Sequence, residues 1–337
     1  MRRRFLFWLA TFFLGCLILG ACFADRLSPY APNFENRAEA LHPPTLLHFF
    51  NEKGQLSKRP FIYPTRMNFE ANMMRSYEVI KKKKCFLRRG RHTLLGVQSP
   101  AKLYLLGTDS RGRDLFSRIL YGARVSLSIG LFGAFVAVVF GFLVGAFAGY
   151  FGGWLDHLLM RVAEFFIMIP ALYLLLALRS ALPPTLDSRQ VYLLIVLILS
   201  TIGWGGIARV VRGMVLSLRE REFVAAAKVL GRKTPEILIG HILPHLFGYL
   251  GVILSISIPG YIFGEAVLSV LGLGIQEPVI SWGNLLMESL SYSVVRFHPW
   301  VLFPGLFIFL TALCLNILGD HLKASQIPED RPDEVLP

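Results

Sequence analysis

Six long apolar blocks constrain this chain more than any other feature. They occupy residues 5–24, 125–150, 155–178, 191–210, 246–270 and 300–318. A helix rising 1.5 Å per residue needs about 20 residues to cross roughly 30 Å of hydrocarbon. Inside that hydrocarbon the backbone has no water to bond, so each block must satisfy its own N–H and C=O groups. The blocks show no strict alternation of the kind a barrel strand requires. The chain of 337 residues is 54% hydrophobic and 17% charged, against about a quarter charged for a soluble domain. The expectation is an all-α polytopic membrane protein with six transmembrane helices. The third block is the least uniform, because Arg161 and Glu164 lie in its first turns.

The first block follows "MRRR" and ends in "LGAC", which invites a signal peptide or a lipid-modified Cys22. Its apolar run exceeds the roughly 7–15 residues of a signal core, so it is read as a retained N-terminal span, residues 1–24. Cys16, Cys22 and Cys314 fall in apolar blocks and Cys85 stands alone in a polar segment. No metal-binding or disulfide spacing results.

The formal net charge is +13. The charges are split among the polar connections and no nucleic-acid-binding module is visible, so nucleic acid is not an expected partner. The dense run "KKKKCFLRRGR" at 81–91 reads as a strip facing solvent or lipid headgroups. Short loops vote on topology through Lys and Arg. Arg2, Arg3 and Arg4 place the N-terminus inside. Alternation then puts the 209–245 loop inside as well, with Arg209, Arg212, Arg219, Arg221, Lys228, Arg232 and Lys233. The tail 321–337, with Lys323 and Arg331, is also expected inside. Residues 25–106 form an extracytoplasmic insert. It is basic, but a segment this long translocates largely regardless of charge. Residues 107–320 are read as the membrane core.

Gly141, Gly145 and Gly149 recur every four residues, so they share one helix face and admit a neighbouring backbone. Pro170 and Pro259 fall inside apolar blocks, where each removes a backbone hydrogen bond and kinks its helix. The loop 219–245, "REREFVAAAKVLGRKTPEILIGHILPH", reads as two helices and a turn. Good helix formers surround Ala225, Ala226 and Ala227. Gly231 suits the left-handed position past a helix end. Thr234, Pro235 and Glu236 form a start signal. Three adjacent alanines leave no bulk, so another surface can press close.

The spacing of the alanines, Gly231, Leu243 and Pro244 resembles the "EAA…G…I-LP" loop of binding-protein-dependent ABC importer permeases. Ala226 and Ala227 match the two alanines, Gly231 the glycine, and Leu243 and Pro244 the terminal pair. Ala225 stands where the motif has glutamate, and His241 where it has isoleucine. Further stretches, "LGTDSRGRDLFSRILYGARVSLSIG", "GYFGGWLDHLLMRVAEFFIMIPAL" and "GEAVLSVLGLGIQEPVISWGNLL", resemble the C-type permease subunit of dipeptide, oligopeptide and nickel importers, over about residues 100–320 in the same order. The resemblance implies a type I importer permease fold in a bacterial inner membrane. It also implies a second, different permease subunit, two ATPase subunits and a periplasmic solute-binding protein as partners. In that family the loop is the coupling helix held in a groove of the ATPase. Peptide is the implied solute, with nickel or another small solute as the alternative.

No GxxxxGK[ST] loop occurs, so the chain is not expected to bind a cofactor or hydrolyse ATP itself; ATP is expected to be used by partner subunits. His241 and His245 lie four apart, but Pro244 disturbs that face and no third metal ligand is near. Arg219, Arg221 and Lys228 are candidate charged contacts beside the coupling alanines. Asp109, Arg111, Arg113 and Asp114 form a charged cluster before the second span, either a gate or binding-protein contact or a salt-bridged turn. Glu265 is an acid within a span, hence a candidate gating residue or a structural pair. A secondary transporter would require polar relay residues in several spans, and few are present. A membrane enzyme would require a nucleophile-base or metal set, which does not assemble. A simple anchor would leave the kinks and ordered glycines without a role.

Overall fold

The computed structural model describes residues 2–50, 56–69, 75–80, 85–88, 96–97, 101–181, 183 and 186–326. The helices are α1 (Arg2–Cys22), the short α2 (Ala24–Leu27), α3 (Leu115–Phe151), α4 (Gly153–Met168), α5 (Ala171–Ser180), α6 (Ser188–Leu218), α7 (Glu222–Val229), α8 (Thr234–Ile237), α9 (Leu243–Val270), α10 (Trp282–Leu285), α11 (Tyr292–Phe297) and α12 (Phe303–Gln326). Among the described residues, five helical stretches are long and apolar enough to cross a membrane: Arg4–Cys22, Leu115–Phe151, Ser188–Leu218, Thr234–Val270 and Pro299–Ala324. The pair Gly153–Met168 and Ala171–Leu178 is bent by 91° and makes a sixth if counted as one span. The six apolar blocks thus appear as helices, and the third is broken. Its cause is local. Pro170 lacks an N–H and forces the residue before it out of the helical region, and Ile169 accordingly has φ −77° and ψ 125°.

Two compact units can be distinguished. One draws on Met1–Phe13, Ser128–Glu265 and Leu310–Pro337, the other on Leu14–Leu127 and Ala266–Phe309. In the first unit, α3 and α6 meet backbone to backbone. A methyl group added at Gly141 would lie 2.8 Å from the carbonyl oxygen of Trp204, and one at Gly149 would lie 2.8 Å from that of Arg212. At Gly145 it would collide with the carbonyl oxygen of Ala208. The four-residue glycine spacing is therefore a helix seam, as the sequence predicts. Helix α4 packs on α6 through buried Ala163, Trp204 and Ala208. The Trp204 ring meets Phe140 edge-on at 5.1 Å and Phe166 at 5.6 Å.

In the second unit, the insert contains strands, which the sequence reading left unassigned. β1 (His48–Phe50), β2 (Leu56–Ile62), β5 (Cys85–Arg88) and β6 (Gly96–Val97) form a sheet in the order β1-β2-β5-β6. β3 (Thr65–Phe69) and β4 (Arg75–Val79) form a separate hairpin, with Met67 opposite Tyr77. Ile62, Cys85, Ala101 and Leu103 make a small core beneath the sheet. Much of the basic run at 81–91, namely 81–84 and 89–91, lies outside the described residues, as does Arg331. Trp282 is fully buried; its indole Nε1 donates to the carbonyl oxygen of Ile119 at 3.0 Å and its backbone N–H to Ser126 Oγ at 3.0 Å.

The seam gives a direct test. Gly145→Ala is expected to lower the thermal midpoint of the detergent-solubilised protein, because overpacking costs about 1–3 kcal/mol. Gly213→Ala, at an α6 position with no atom within 4 Å of the added carbon, is expected to leave the midpoint unchanged or raise it. Equal effects from the two substitutions would contradict the seam.

Candidate functional site

The 219–245 loop forms a helical elbow. Helix α7 ends in a paired cap: the Gly231 N–H donates to Lys228 O at 3.0 Å and the Arg232 N–H to Ala227 O at 3.1 Å. This six-to-one, five-to-two pattern needs a left-handed residue at its centre, and Gly231 has φ +75°. The turn reverses the chain into α8, with Pro235 in its first turn. A turn of π-helix, Leu238–Ile242, then joins α8 to α9, which begins with Leu243 and Pro244.

The three alanines do not share one environment. Ala227 is buried together with Val224, while Ala225 and Ala226 are exposed. Val229 and Leu230 are 88% and 79% exposed. Residues 225, 226, 229 and 230 follow the i, i+1, i+4, i+5 spacing of one helix face. That face is small-sided, apolar and uncovered. Its apolar half, Val229 and Leu230, lay outside the sequence-derived site; the signal was their position one turn after the alanines.

The flanking cations divide by role. Arg219 Nη1 donates to the carbonyl oxygens of Gly149 at 3.0 Å and Tyr150 at 3.4 Å, satisfying the end of α3. Lys228 Nζ sits 5.3 Å from the Tyr150 ring centroid. Both side chains thereby tie the elbow to α3. Arg221 is exposed and precedes α7, where its carbonyl accepts from Val224 and Ala225. His241 is half-buried in the π turn, and no cluster of three metal-binding side chains occurs among the described residues.

The second predicted cluster is an ion-pair knot. Asp109 Oδ1 accepts from the backbone N–H groups of Arg111 and Arg113, both at 2.9 Å. Arg113 Nε donates to Asp109 Oδ2 at 2.6 Å and its Nη1 to Glu277 Oε1 at 2.5 Å. Arg118 Nη2 reaches the same Glu277 oxygen at 3.1 Å, and Arg111 Nη1 reaches Glu277 Oε2 at 2.9 Å. Glu288 accepts from Ser110 Oγ at 2.7 Å. Asp109, Arg113 and Arg118 are buried, so most of the cluster is an internal brace, with the exposed Arg111 at its rim. The sequence reading missed Arg118, Glu277 and Glu288. The two glutamates lie between 159 and 178 positions from their partners, beyond any local pattern. Burial pushes the Glu277 carboxyl up, but Arg113 and Arg118 outweigh it and hold the group below its usual range.

Asp114 stands apart. It precedes α3 and accepts from the Ser117 N–H at 2.9 Å and Ser117 Oγ at 2.5 Å, as an N-cap does. Burial pushes its carboxyl up to about 6 despite those bonds. Glu265 is fully buried in α9.

Residues 141–327 match the family described as binding-protein-dependent transport system inner membrane component. The chain is 42% identical over 229 residues to the oligopeptide transport system permease protein OppC of Haemophilus influenzae, covering 68% of this chain and 71% of that protein. It is 39% identical over 233 residues to the dipeptide transport system permease protein DppC of Bacillus subtilis, covering 69% and 71%. It is 36% identical over 232 residues to the glutathione transport system permease protein GsiD of Pectobacterium atrosepticum, covering 69% and 75%. A chain of the inward-facing MetNI methionine ABC transporter aligns over 62% of this chain and 96% of its own length, at 16% identity and a TM-score of 0.48. The chain belongs to the binding-protein-dependent transport system inner membrane components. It is a multi-pass membrane permease of the ABC importer class, with an all-helical membrane core.

A raised carboxyl pKa stabilises the fold at low pH, and that contribution is lost as pH rises through the folded value. Thermal midpoints of wild type and Asp114→Asn, measured in detergent from pH 4 to pH 7, are expected to diverge. Wild type loses stability relative to the variant as the pH rises from the unfolded value of 3.8 to about 6, and the curves run parallel above that. Curves parallel throughout would show that Asp114 does not titrate in this range.

Proposed function

We propose that this chain is the permease subunit of an ATP-driven peptide importer, forming part of the transmembrane pathway and receiving its energy through the 219–245 elbow. The relatives named for oligopeptide and dipeptide transport support peptide as the solute. The positive-inside rule supports an orientation with both termini and the elbow in the cytoplasm. The partners are a second permease subunit, two ATPase subunits and a periplasmic binding protein that delivers the solute. The chain itself binds no nucleotide or other cofactor; ATP is used by the ATPases.

One observation carries this reading: Ala225, Ala226, Val229 and Leu230 form an uncovered apolar face on a short helix tied to the end of α3. A small-sided helix face of this kind fits a groove on a partner. Ala225 replaces the acid of the motif, so contact at that point rests on shape and apolar area. Arg219 and Lys228 position the elbow, and Arg221 supplies charge at its entry. Gly231 sets the turn. Leu243 and Pro244 begin α9, so displacement of the elbow enters that span at its first residues. The expected topology puts residues 109–114 outside, where Arg111 at the rim of the Asp109–Arg113 brace is exposed and available to the binding protein. Asp114 fixes the start of α3, and the buried Glu265 is assigned to gating.

Replacing Ala226 with Trp is expected to abolish solute-stimulated ATPase activity of the assembled complex while leaving membrane insertion intact. Full stimulation in that variant would remove the elbow from the coupling path.

A further inference from the structure

The first unit contains a charged pocket that the coupling reading does not use. It has a volume of about 290 Å³ and is lined by Asp156, His157, Met160, Arg161, Glu164, Arg209 and Arg212. Its walls are α4 and α6. Arg161 lies eight residues beyond the start of α4, and Arg209 nine residues before the end of α6. At 1.5 Å per residue each lies about 12–14 Å along its helix from that end. Ionisable groups at such depth are costly and face a water-filled cavity or a partner.

The charges inside do not balance evenly. Asp156 is matched by Arg212, whose Nε and Nη2 each donate to one carboxylate oxygen at 2.5 Å. That pair is closed. Glu164 is the one remaining acid in the lining, and two guanidinium groups share it: Arg161 Nη1 at 3.2 Å and Arg209 Nη2 at 3.7 Å. Both arginines keep most of their donors free, with side-chain exposures of 85% and 53%. His157 adds a further polar group to the lining. Beside the pocket, α4 exposes Trp154, Leu158, Val162 and Phe165. An apolar body can lie there while its anionic end reaches the arginines.

We propose that this pocket is an anion-binding subsite on the inner side of the membrane, in which Arg161 and Arg209 together hold a carboxylate or phosphate group. Planar guanidinium forks suit both groups. The anion is supplied either by a departing solute, through its terminal carboxylate, or by a phospholipid headgroup. The solute branch rests on the peptide reading above; the lipid branch rests only on the proposed orientation.

The test uses the complete complex with its partner permease, ATPases and binding protein, reconstituted into phosphatidylethanolamine vesicles with or without phosphatidylglycerol. Wild type is compared with Arg161→Gln/Arg209→Gln and with Arg161→Lys/Arg209→Lys, after confirming assembly by size exclusion. One transported peptide is presented as the free acid and as its C-terminal amide. Loss of charge-assisted hydrogen bonds is worth about tenfold or more. If the solute supplies the anion, the Gln variant loses about tenfold in uptake of the free acid. Its uptake of the amide stays within about twofold of wild type, and the Lys variant restores part of the acid uptake. If lipid supplies it, phosphatidylglycerol changes the basal ATPase rate of wild type and not of the Gln variant, with acid and amide affected alike. The proposal is overturned if the assembled Gln variant matches wild type in both arms. It is equally overturned if that variant loses both peptides alike with no change in lipid response. Should wild type import neither form, the peptide reading fails by itself and the phosphatidylglycerol arm decides the subsite.

Discussion

Helices α3 and α6 can approach to backbone contact only because Gly141, Gly145 and Gly149 carry no side chain. In hydrocarbon there is little hydrophobic gain from bringing two apolar helices together, so close packing of this kind is a main source of association. The rest of the first unit follows from that seam. It brings the end of α6 beside the end of α3, where Arg219 satisfies the carbonyls of Gly149 and Tyr150. Lys228 then rests on the Tyr150 ring. The elbow is therefore fixed to the bundle by its charged residues and left uncovered along its apolar ones.

This division inverts a simple expectation. On an ordinary water-facing loop the cations face outward and the apolar side chains turn in. Here Arg219 and Lys228 bind back to α3, while Val229 and Leu230 are exposed. An uncovered apolar face on a braced element is what a partner groove requires, and α8 and the π turn lead from it into α9. The second unit shows the complementary economy: the buried Asp109, Arg113 and Arg118 are paired within one cluster that also holds Glu277. They hold a turn in place and leave Arg111 at the surface.

How much of this was legible in the sequence depends on range. The spans were legible because each apolar block is continuous and must be helical in lipid. The glycine seam was legible from a four-residue spacing, and the left-handed turn from Gly231. The break at Pro170 was foreseeable as a kink, but its 91° size was not, because neighbouring packing sets the angle. The inward turn of Ala227 and the outward turn of Ala225 depend on what lies beneath α7. The strands of the insert are short, and the pairings of His48 with Phe61 and of Phe61 with Phe86 are non-local. Glu277 could not be joined to Arg113 from sequence, since 164 positions separate them. The charge balance of the Arg161–Glu164–Arg209 pocket likewise requires two helices to be placed side by side.

The central claim is that the elbow faces the cell interior with its apolar side uncovered. The most direct measurement places a single cysteine at Leu230, with Cys16, Cys22, Cys85 and Cys314 replaced by serine, and applies a membrane-impermeant maleimide to right-side-out and inside-out vesicles. The account predicts labelling in inside-out vesicles, and protection there once the ATPase subunits are bound. Labelling from the outer side alone would contradict it, because the ATPases would then have no surface on this chain to drive.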